Sequence, residues 1–201
     1  MSESKSSDLP LTMERLQGLS DCPDKLFFIG VNPENLWKNY SVGIVGSRDV
    51  SEESIHAAFN YGAKMAKDGN IVVSGLAKGI DTAAFEGAIS ENGCCVAVLP
   101  SGLDEITPKS NIDLAKKIIE SGGCLISEYP SETKPQKWRF LARNRIIAGL
   151  SDVVVIGEAR NGGGAWNTIK HAWFLEKETF RLEQNGELIP VSSSQRRLSF
   201  E

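Results

Sequence analysis

Five short runs rich in valine and isoleucine recur along the middle of the chain, and they constrain its fold more than any other feature. The runs are VGIVG (42–46), IVVSG (71–75), CVAVLP (95–100), CLISEYP (124–130) and DVVVIGEA (152–159). Nearly continuous apolar runs of this length are typical of strands that are buried on both faces of a parallel sheet. The sequence therefore predicts five such strands.

The segments between these runs have helical periodicity. In 51–68, Ile55, Phe59 and Ala66 recur on one face of a helix, and Ser51 is a suitable N-cap. Similar segments occur at 79–91, 111–121, 142–150 and 164–177. Because strands and helices alternate, we predict an α/β fold of the extended Rossmann-like type, with a doubly wound, mostly parallel sheet and helices on both faces.

The two ends of the chain differ in composition from its middle. Residues 1–10 are rich in serine and charge, which predicts a disordered lead. Residues 11–40 include the apolar stretch LFFIG, and we expect them to form an arm that packs on the core. The Rossmann-like core is predicted to span 41–183. Residues 184–201 are expected to hold a short strand in GELIPV and a polar tail.

Composition narrows the functional classes. The 201 residues carry 22 Lys and Arg against 26 Asp and Glu, a net charge of −4. This balance argues against a polycation that is basic over its whole surface, but it leaves room for a local basic groove. No apolar run approaches the roughly 20 residues that cross a bilayer. The N-terminus also lacks a signal-peptide pattern, so we expect a cytoplasmic protein with no membrane partner.

Common catalytic and cofactor motifs are missing. The chain has no GxGxxG, no GxxxxGK[ST] and no GxSxG, and its two histidines, His56 and His171, fall in predicted helices. The four cysteines show no zinc-finger spacing, and we expect them to be reduced core residues. They are Cys22, Cys94, Cys95 and Cys124. We therefore expect no metal, no cofactor and no enzymatic activity.

Glycines beside hydroxyls or cations follow the predicted strands. In an open parallel sheet, ligands bind outside the carboxyl ends of the strands. Glycine lets backbone N–H groups approach a phosphate, while Arg48 and Lys78 supply charge-assisted bonds. Any one of these loops also fits a tight turn, but together they favour an anionic ligand. The candidate residues are Gly46, Ser47, Arg48, Ser74, Gly75, Lys78, Gly79, Gly102, Glu158, Gly163 and Gly164.

The segment KWRFLARNR (137–145) combines four cations and two aromatic residues with no acid. Cations neutralise phosphates, and aromatic faces stack on unpaired bases, at about 1–3 kcal/mol per base. Arg143, Asn144 and Arg145 precede the apolar IIAGL, so we expect them in the first turn of a helix that faces the glycine loops. The alternative makes Phe140 a core residue and the arginines a solvated helix face.

Several ordered motifs resemble the DNA-processing protein A (DprA/Smf) family over about residues 11–177. They are IVGSR, VVSGLAKGIDTAAFEGA, AVLPSGLDEITPKSN, GGCLISEYP and KWRFLARNRIIAGLSDVVVIGEA. The resemblance implies a homodimer that binds single-stranded DNA in a basic pocket. It also implies a recombination mediator that protects incoming DNA and helps to load the RecA recombinase in natural transformation or recombination.

The resemblance also assigns roles to residues. It implies that Gly46, Ser47 and Arg48 hold DNA phosphate, and that Ser74, Gly75, Lys78 and Gly79 line the pocket. It implies that Lys137, Phe140, Arg143, Asn144 and Arg145 grip the strand, with Phe140 as a base-stacking platform. Trp166 departs from the small residues that the family favours there, and we expect it to narrow the site or to stack on a ligand.

Two other functions compete with this one. The first is a sensor of a nucleotide or nucleotide derivative that uses the same phosphate-binding cleft. The second is a phosphoribohydrolase of the cytokinin-activating, lysine-decarboxylase-like type, whose motif ends in a catalytic Glu. The corresponding segment here, NGGGAWNTIKH, ends in Lys170 and His171 without that acid, which disfavours the enzyme.

Overall fold

Residues 9–193 are described by the computed structural model, and they form one sheet flanked by helices. The eight strands are β1 (Phe27–Gly30), β2 (Ser41–Val45), β3 (Ile71–Ser74), β4 (Cys95–Val98), β5 (Cys124–Ser127), β6 (Val153–Ile156), β7 (Thr179–Leu182) and β8 (Leu188–Pro190). The helices are α1 (Pro10–Glu14), α2 (Glu52–Lys67), α3 (Ile80–Ser90), α4 (Ile112–Glu120), α5 (Lys137–Leu150) and α6 (Gly164–Phe174).

The order of the strands places a crossover in the middle of the sheet. That order is β1-β5-β4-β3-β2-β6-β7-β8. The strands from β2 to β7 run parallel to one another, and the antiparallel strands β1 and β8 close the two edges. The chain winds outward from β2 to β5 and then returns to the other side of β2 with β6. The predicted doubly wound, mostly parallel α/β fold is thus confirmed, with its topological switch point between β2 and β6.

Alternate residues of the central strands enter two separate cores. Along β6, Val153 and Val155 belong to the core that contains residues of α2, α3 and α4. Val154 and Ile156 belong to the opposite core, which contains residues of α5 and α6. Every residue of β2 to β6 is buried. This two-sided burial explains why the strands are continuous apolar runs rather than alternating ones.

The segment before β2 belongs to the same body as the sheet. Leu9, Leu16 and Leu26 are fully buried in the core that contains α5 and α6. From its sequence, LFFIG is expected in a packing arm, but β1 lies within this stretch, pairs with β5 and extends the sheet. Most of the predicted disordered lead, residues 1–8, lies outside the described residues.

Two elements differ from the sequence prediction. The helix expected at 142–150 begins at Lys137, because its first turns carry charged and aromatic residues and so lack the apolar periodicity that marks a helix. β7 was not predicted, since its pattern of buried and exposed residues is short and mixed. The expected strand in GELIPV is β8, and the polar tail from residue 194 onward is outside the described part of the chain.

The cysteines are free thiols in two environments. Cys95 and Cys124 are buried in strands, and burial raises the pKa of both thiols, whereas Cys22 and Cys94 are partly exposed. Within residues 9–193, no group of His, Cys, Asp and Glu side chains is arranged to hold a metal ion. No helix of that range is long and apolar enough to cross a membrane.

Lys177 closes the carboxyl end of α5, which yields a test of the fold. Its ammonium donates to the carbonyls of Ala148, Gly149 and Ser151 at 2.9, 2.7 and 2.6 Å. Such carbonyls have no partner within the helix. We expect Lys177→Met to lower the free energy of unfolding by about 1–3 kcal/mol, as measured in urea, because buried acceptors lose their donor. Lys170→Met, on the exposed side of α6, is the control, and equal effects of both changes would contradict this role.

Candidate nucleic-acid interface

A cavity of about 500 Å³ opens at the topological switch point of the sheet. Five segments line it: residues 45–49 at the end of β2, the start of α3 with the loop before it, residue 160 after β6, one face of α5, and the first turns of α6. Four of the five lining residues on α5 follow the spacing i, i+3, i+4 and i+7 of a single helix face, namely Phe140, Arg143, Asn144 and Ile147; the fifth is Leu141. The cavity therefore lies where ligands bind in open α/β sheets.

The rim of the cavity carries exposed cations. Arg48 is exposed, and its Cζ lies 5.0 Å from the ring centroid of Phe140, a cation–π contact across the opening. Arg160, which no sequence motif marks as a site residue, lines the same cavity. Its backbone N–H donates to the Ser47 hydroxyl at 3.3 Å, so the loops after β2 and β6 are joined. The Oδ2 atom of Asp49 lies 3.8 Å from Nη2 of Arg160. Both side chains are almost fully exposed, so this ion pair contributes little to stability.

The floor of the cavity holds a buried cation and a buried acid. Arg143 is only 4% exposed, and its Nη1 donates to the Val98 carbonyl at the end of β4. Burial lowers the pKa of Arg143 to about 10. Asp81 accepts from the backbone N–H groups of Gly75 and Ala77 at 3.1 and 3.3 Å, and burial raises the pKa of its carboxyl. The attraction between these two charges opposes both shifts.

Sequence reasoning missed Asp81 as a site residue. The available signal was an acid in the first turn of α3, directly after the loop that carries Gly75 and Gly79. These two glycines do not line the cavity. A Cβ at Gly75 would lie 2.0 Å from Nη1 of Arg143, so only glycine lets the guanidinium cross the loop. Gly79 has a φ of +75° and closes the turn against the carbonyl of Ser47.

The first turn of α6 supplies hydrogen-bond donors to the cavity wall. Gly163 is its N-cap, so no side chain satisfies the first N–H groups of the helix. Gly164, Ala165 and Thr168 face the cavity. Thr168 is 1% exposed, and its hydroxyl has no hydrogen-bond partner among the described residues. An uncapped helix N-terminus beside an unpartnered hydroxyl favours an anionic ligand.

Seven of the predicted site residues line this cavity together. They are Gly46, Ser47, Arg48, Phe140, Arg143, Asn144 and Gly164. Asn144 also donates to the Gly164 carbonyl at 3.0 Å, which ties α5 to α6. Lys78 and Lys137 are exposed side chains that do not line it. Ser74 is buried and donates to the Ile44 carbonyl, so it joins β3 to β2.

Other predicted residues have structural contacts away from the cavity. Glu158 accepts from the backbone and hydroxyl of Ser51 at 3.0 and 2.9 Å, and hydrogen bonds from Ser54 and Ser51 lower the pKa of Glu158. Gly102 packs against the carbonyls of Pro130 and Ser131. Trp166 packs against the core that contains α6 instead of narrowing the cavity.

Arg145 also points away from the cavity. It forms a two-pronged ion pair with Glu128, at 3.0 and 2.7 Å, and its Nε donates to the Asp21 carbonyl at 2.6 Å. Hydrogen bonding and attraction from Glu128 raise the pKa of Arg145 against the opposing effect of burial. The residue therefore ties α5 to β5 and to the N-terminal segment.

The family model of DNA recombination-mediator protein A matches residues 4–196. The chain belongs to this family. The predicted resemblance to DprA/Smf proteins is thus confirmed.

Two curated relatives illustrate how much of the family the chain covers. The chain is 37% identical to Protein Smf of Synechocystis over 168 residues, which are 83% of this chain and 42% of that protein. It is 34% identical to the DNA processing protein DprA of Bacillus subtilis over 179 residues, 89% of this chain and 57% of the relative. The chain thus spans about half the length of these relatives.

Two solved structures of DNA processing protein A have the same fold as this chain. DNA processing protein A of Helicobacter pylori, described with its single-stranded DNA binding mode, superposes with a TM-score of 0.82 at 30% identity, covering 98% of this chain and 87% of that one. The Streptococcus pneumoniae protein gives 0.78 at 33% identity, over 93% of this chain and 70% of the other. A molybdenum cofactor binding protein of Rippkaea orientalis, at 19% identity and a TM-score of 0.54, shares the fold alone.

The placement of Arg145 predicts a structural phenotype. We expect Arg145→Met to lower the free energy of unfolding by about 1–3 kcal/mol, because it leaves the partly buried carboxylate of Glu128 without its partner. Chemical denaturation measures the change. The double change Arg145→Met with Glu128→Leu removes both charges and should recover most of the loss. A single variant as stable as the parent chain would show that the ion pair does not support the fold.

Proposed function

We propose that the chain is a single-stranded DNA-binding recombination mediator of the DprA/Smf type, which binds DNA without covalent chemistry. One observation carries the proposal: a single cavity unites an arginine–aromatic pair at its mouth, Arg48 and Phe140, with an uncapped helix N-terminus in its wall. The arginine and the helix N-terminus suit phosphate. The aromatic ring suits an unpaired base.

The size of the cavity limits how a strand would enter it. A volume of about 500 Å³ is that of a small-ligand site. It accommodates one nucleotide of a strand, while the neighbouring nucleotides must cross the surface outside. The exposed Arg48 and Arg160 at the rim are positioned to meet the phosphates on either side. Binding through phosphates and a stacked base has little dependence on sequence, as a mediator of recombination requires.

We propose binding rather than catalysis at this site. The residues that line the cavity include no histidine, cysteine or lysine to serve as a nucleophile or base. Asp81 is the buried acid there, and two backbone N–H groups hold its carboxyl. His171 is outside the lining, and burial lowers the pKa of its imidazole.

Two further proposals concern the partners of the protein, a second copy of the chain and a recombinase. We propose that it acts as a homodimer that protects incoming strands and helps to load a RecA-type recombinase in transformation or recombination. The name of the family and the DNA-processing relatives support this role. Since the chain spans about half the length of those relatives, DNA binding is the part of the proposal that the cavity itself supports.

A nucleotide sensor is the second candidate function, because the volume of the cavity is that of a small-ligand site. A free nucleotide fits a site of about 500 Å³ as well as one nucleotide of a strand does. If oligo-dT fails to bind near physiological salt and mass spectrometry finds a nucleotide that co-purifies with the protein, the sensor replaces the DNA-binding mediator.

Salt dependence separates phosphate contacts from stacking. We expect Arg48→Ala to weaken oligo-dT binding and to reduce the slope of log K against log salt by about 0.7, the value for one lost phosphate contact. Phe140→Ala should weaken binding by about 1–3 kcal/mol with the slope unchanged, because a stacked base is lost. Fluorescence anisotropy over a salt series measures both effects.

The control for this titration is Lys116→Ala, which removes an exposed cation on α4 that does not line the cavity. It should bind oligo-dT like the parent chain. If all three variants lose the same affinity and slope, binding is diffuse and the cavity is not the site.

The buried acid gives a separate prediction about pH. The pKa of Asp81 is raised, so its carboxyl becomes neutral as the pH falls through this raised value, and repulsion of phosphate then weakens. Oligo-dT binding should therefore strengthen with falling pH in the parent chain. Asp81→Asn should lose this component of the pH dependence, because an amide does not take up a proton in this range. Asp49→Asn, at the exposed rim, should keep the pH dependence of the parent chain, and an Asp81→Asn variant that also keeps it would refute this role of Asp81.

A further inference from the structure

Trp138 is a large aromatic side chain that the cavity does not use. It lies in the first turn of α5, is 56% exposed and does not line the cavity. Folding alone gives no reason to leave an indole in water at this position. Exposed aromatic area that adjoins a binding cleft marks an interaction surface.

Trp138 forms an ordered cluster with Tyr129 and Arg139, which we call the stacking platform. The rings of Tyr129 and Trp138 meet edge to face, with centroids 6.4 Å apart and planes at 87°. The guanidinium of Arg139 lies 4.5 Å from the Tyr129 ring centroid and 5.2 Å from that of Trp138. Cation–π contacts on both rings thus hold the three side chains together.

Hydrogen bonds fix the orientation of the platform in advance. The indole N–H of Trp138 donates to Gln136 at 2.7 Å, and Arg139 donates to the Lys134 carbonyl at 2.6 Å. Side chains that are ordered before a ligand arrives lose less entropy on binding. The platform is therefore suited to receive a planar ligand.

The platform is continuous with the mouth of the cavity. Leu141 lines the cavity and is itself 48% exposed. Trp138 lies three residues before it on α5, and side chains at this spacing are neighbours, with Cβ atoms about 5–6 Å apart. A chain that leaves the cavity past Leu141 reaches Trp138 next.

The charge of this surface suits an anionic ligand. Lys134 and Lys137 are exposed, and no ion pair within residues 9–193 involves either of them. The acid Glu128 of the same region is engaged by Arg145, which leaves Glu132 as the exposed carboxylate of the loop. Cations beside an open aromatic face are the combination that binds single strands.

We propose that the stacking platform binds a second base of the strand outside the cavity, so that single-stranded DNA leaves the cavity past Leu141 and crosses the start of α5. This inference rests on the proposed function, because it extends the DNA path from that cavity. It adds Trp138 as a stacking residue and Lys134 as a phosphate contact along the path, and it places Lys137, which the resemblance already assigns to the strand, beside them.

Oligonucleotide length tests the inference. A dT trinucleotide fills the cavity and its rim, whereas an oligo-dT of about twelve nucleotides also reaches the platform. We expect Trp138→Ala to weaken binding of the longer oligo-dT by about 5- to 150-fold, the range for one stacked base, and to leave binding of the trinucleotide unchanged. Trp138→Phe should restore most of the lost affinity. Isothermal titration calorimetry measures both ligands.

The controls distinguish the failure of this inference from that of the proposed function. Phe174→Ala removes an aromatic side chain that is 64% exposed at the end of α6, and it should bind both ligands like the parent chain. If the parent chain binds neither ligand, the DNA-binding function itself fails. If the parent binds both and Trp138→Ala matches it with the longer oligo-dT, the platform is not on the DNA path, and its Trp, Tyr and Arg composition then favours a protein partner.

Discussion

The buried guanidinium of Arg143 is the constraint on which the site depends. It reaches from α5 to the Val98 carbonyl at the end of β4, crosses the backbone at Gly75 after β3, and balances the charge of Asp81 at the start of α3. A buried charge is tolerated only when its surroundings compensate it. The glycine and the acid are therefore required by Arg143, and together the three residues hold two strands and two helices in register beneath the cavity.

The two halves of α5 differ in burial and in composition. Its carboxyl half is buried among apolar side chains, whereas its first turns hold exposed or half-exposed aromatic and basic residues that serve the cavity and the platform. Arg143 and Arg145 are two residues apart, so their side chains project about 200° apart around the helix. Arg143 consequently faces the cavity and Arg145 pairs with Glu128, although both belong to the same basic segment of the sequence.

The degree of burial of each strand explains which strands can be predicted from the sequence. The strands β2 to β6 were identified because both of their faces are buried, whereas β1 and β7 lie at or near the edges of the sheet and lack that pattern. The loop after β2 and one face of α5 were correctly grouped as neighbours. Gly102 follows β4, and the expectation that ligands bind at the carboxyl ends of parallel strands placed it in the same site. However, β4 lies two strands from β2 in the sheet. The order of strands, which decides which loops meet, is not encoded in local periodicity.

The net charge of −4 is compatible with the proposed anion-binding cavity because the cations have different structural roles. Arg15 and Arg145 are paired with Asp152 and Glu128, and Lys177 closes α5, so these cations contribute stability rather than an external field. Arg48 and Arg160 are exposed at the rim instead, above a floor where Arg143 and Asp81 balance each other. A cleft with low-dielectric walls focuses the field of charges at its rim. The proposed attraction of a phosphate therefore depends on the location of a few arginines and not on the overall charge.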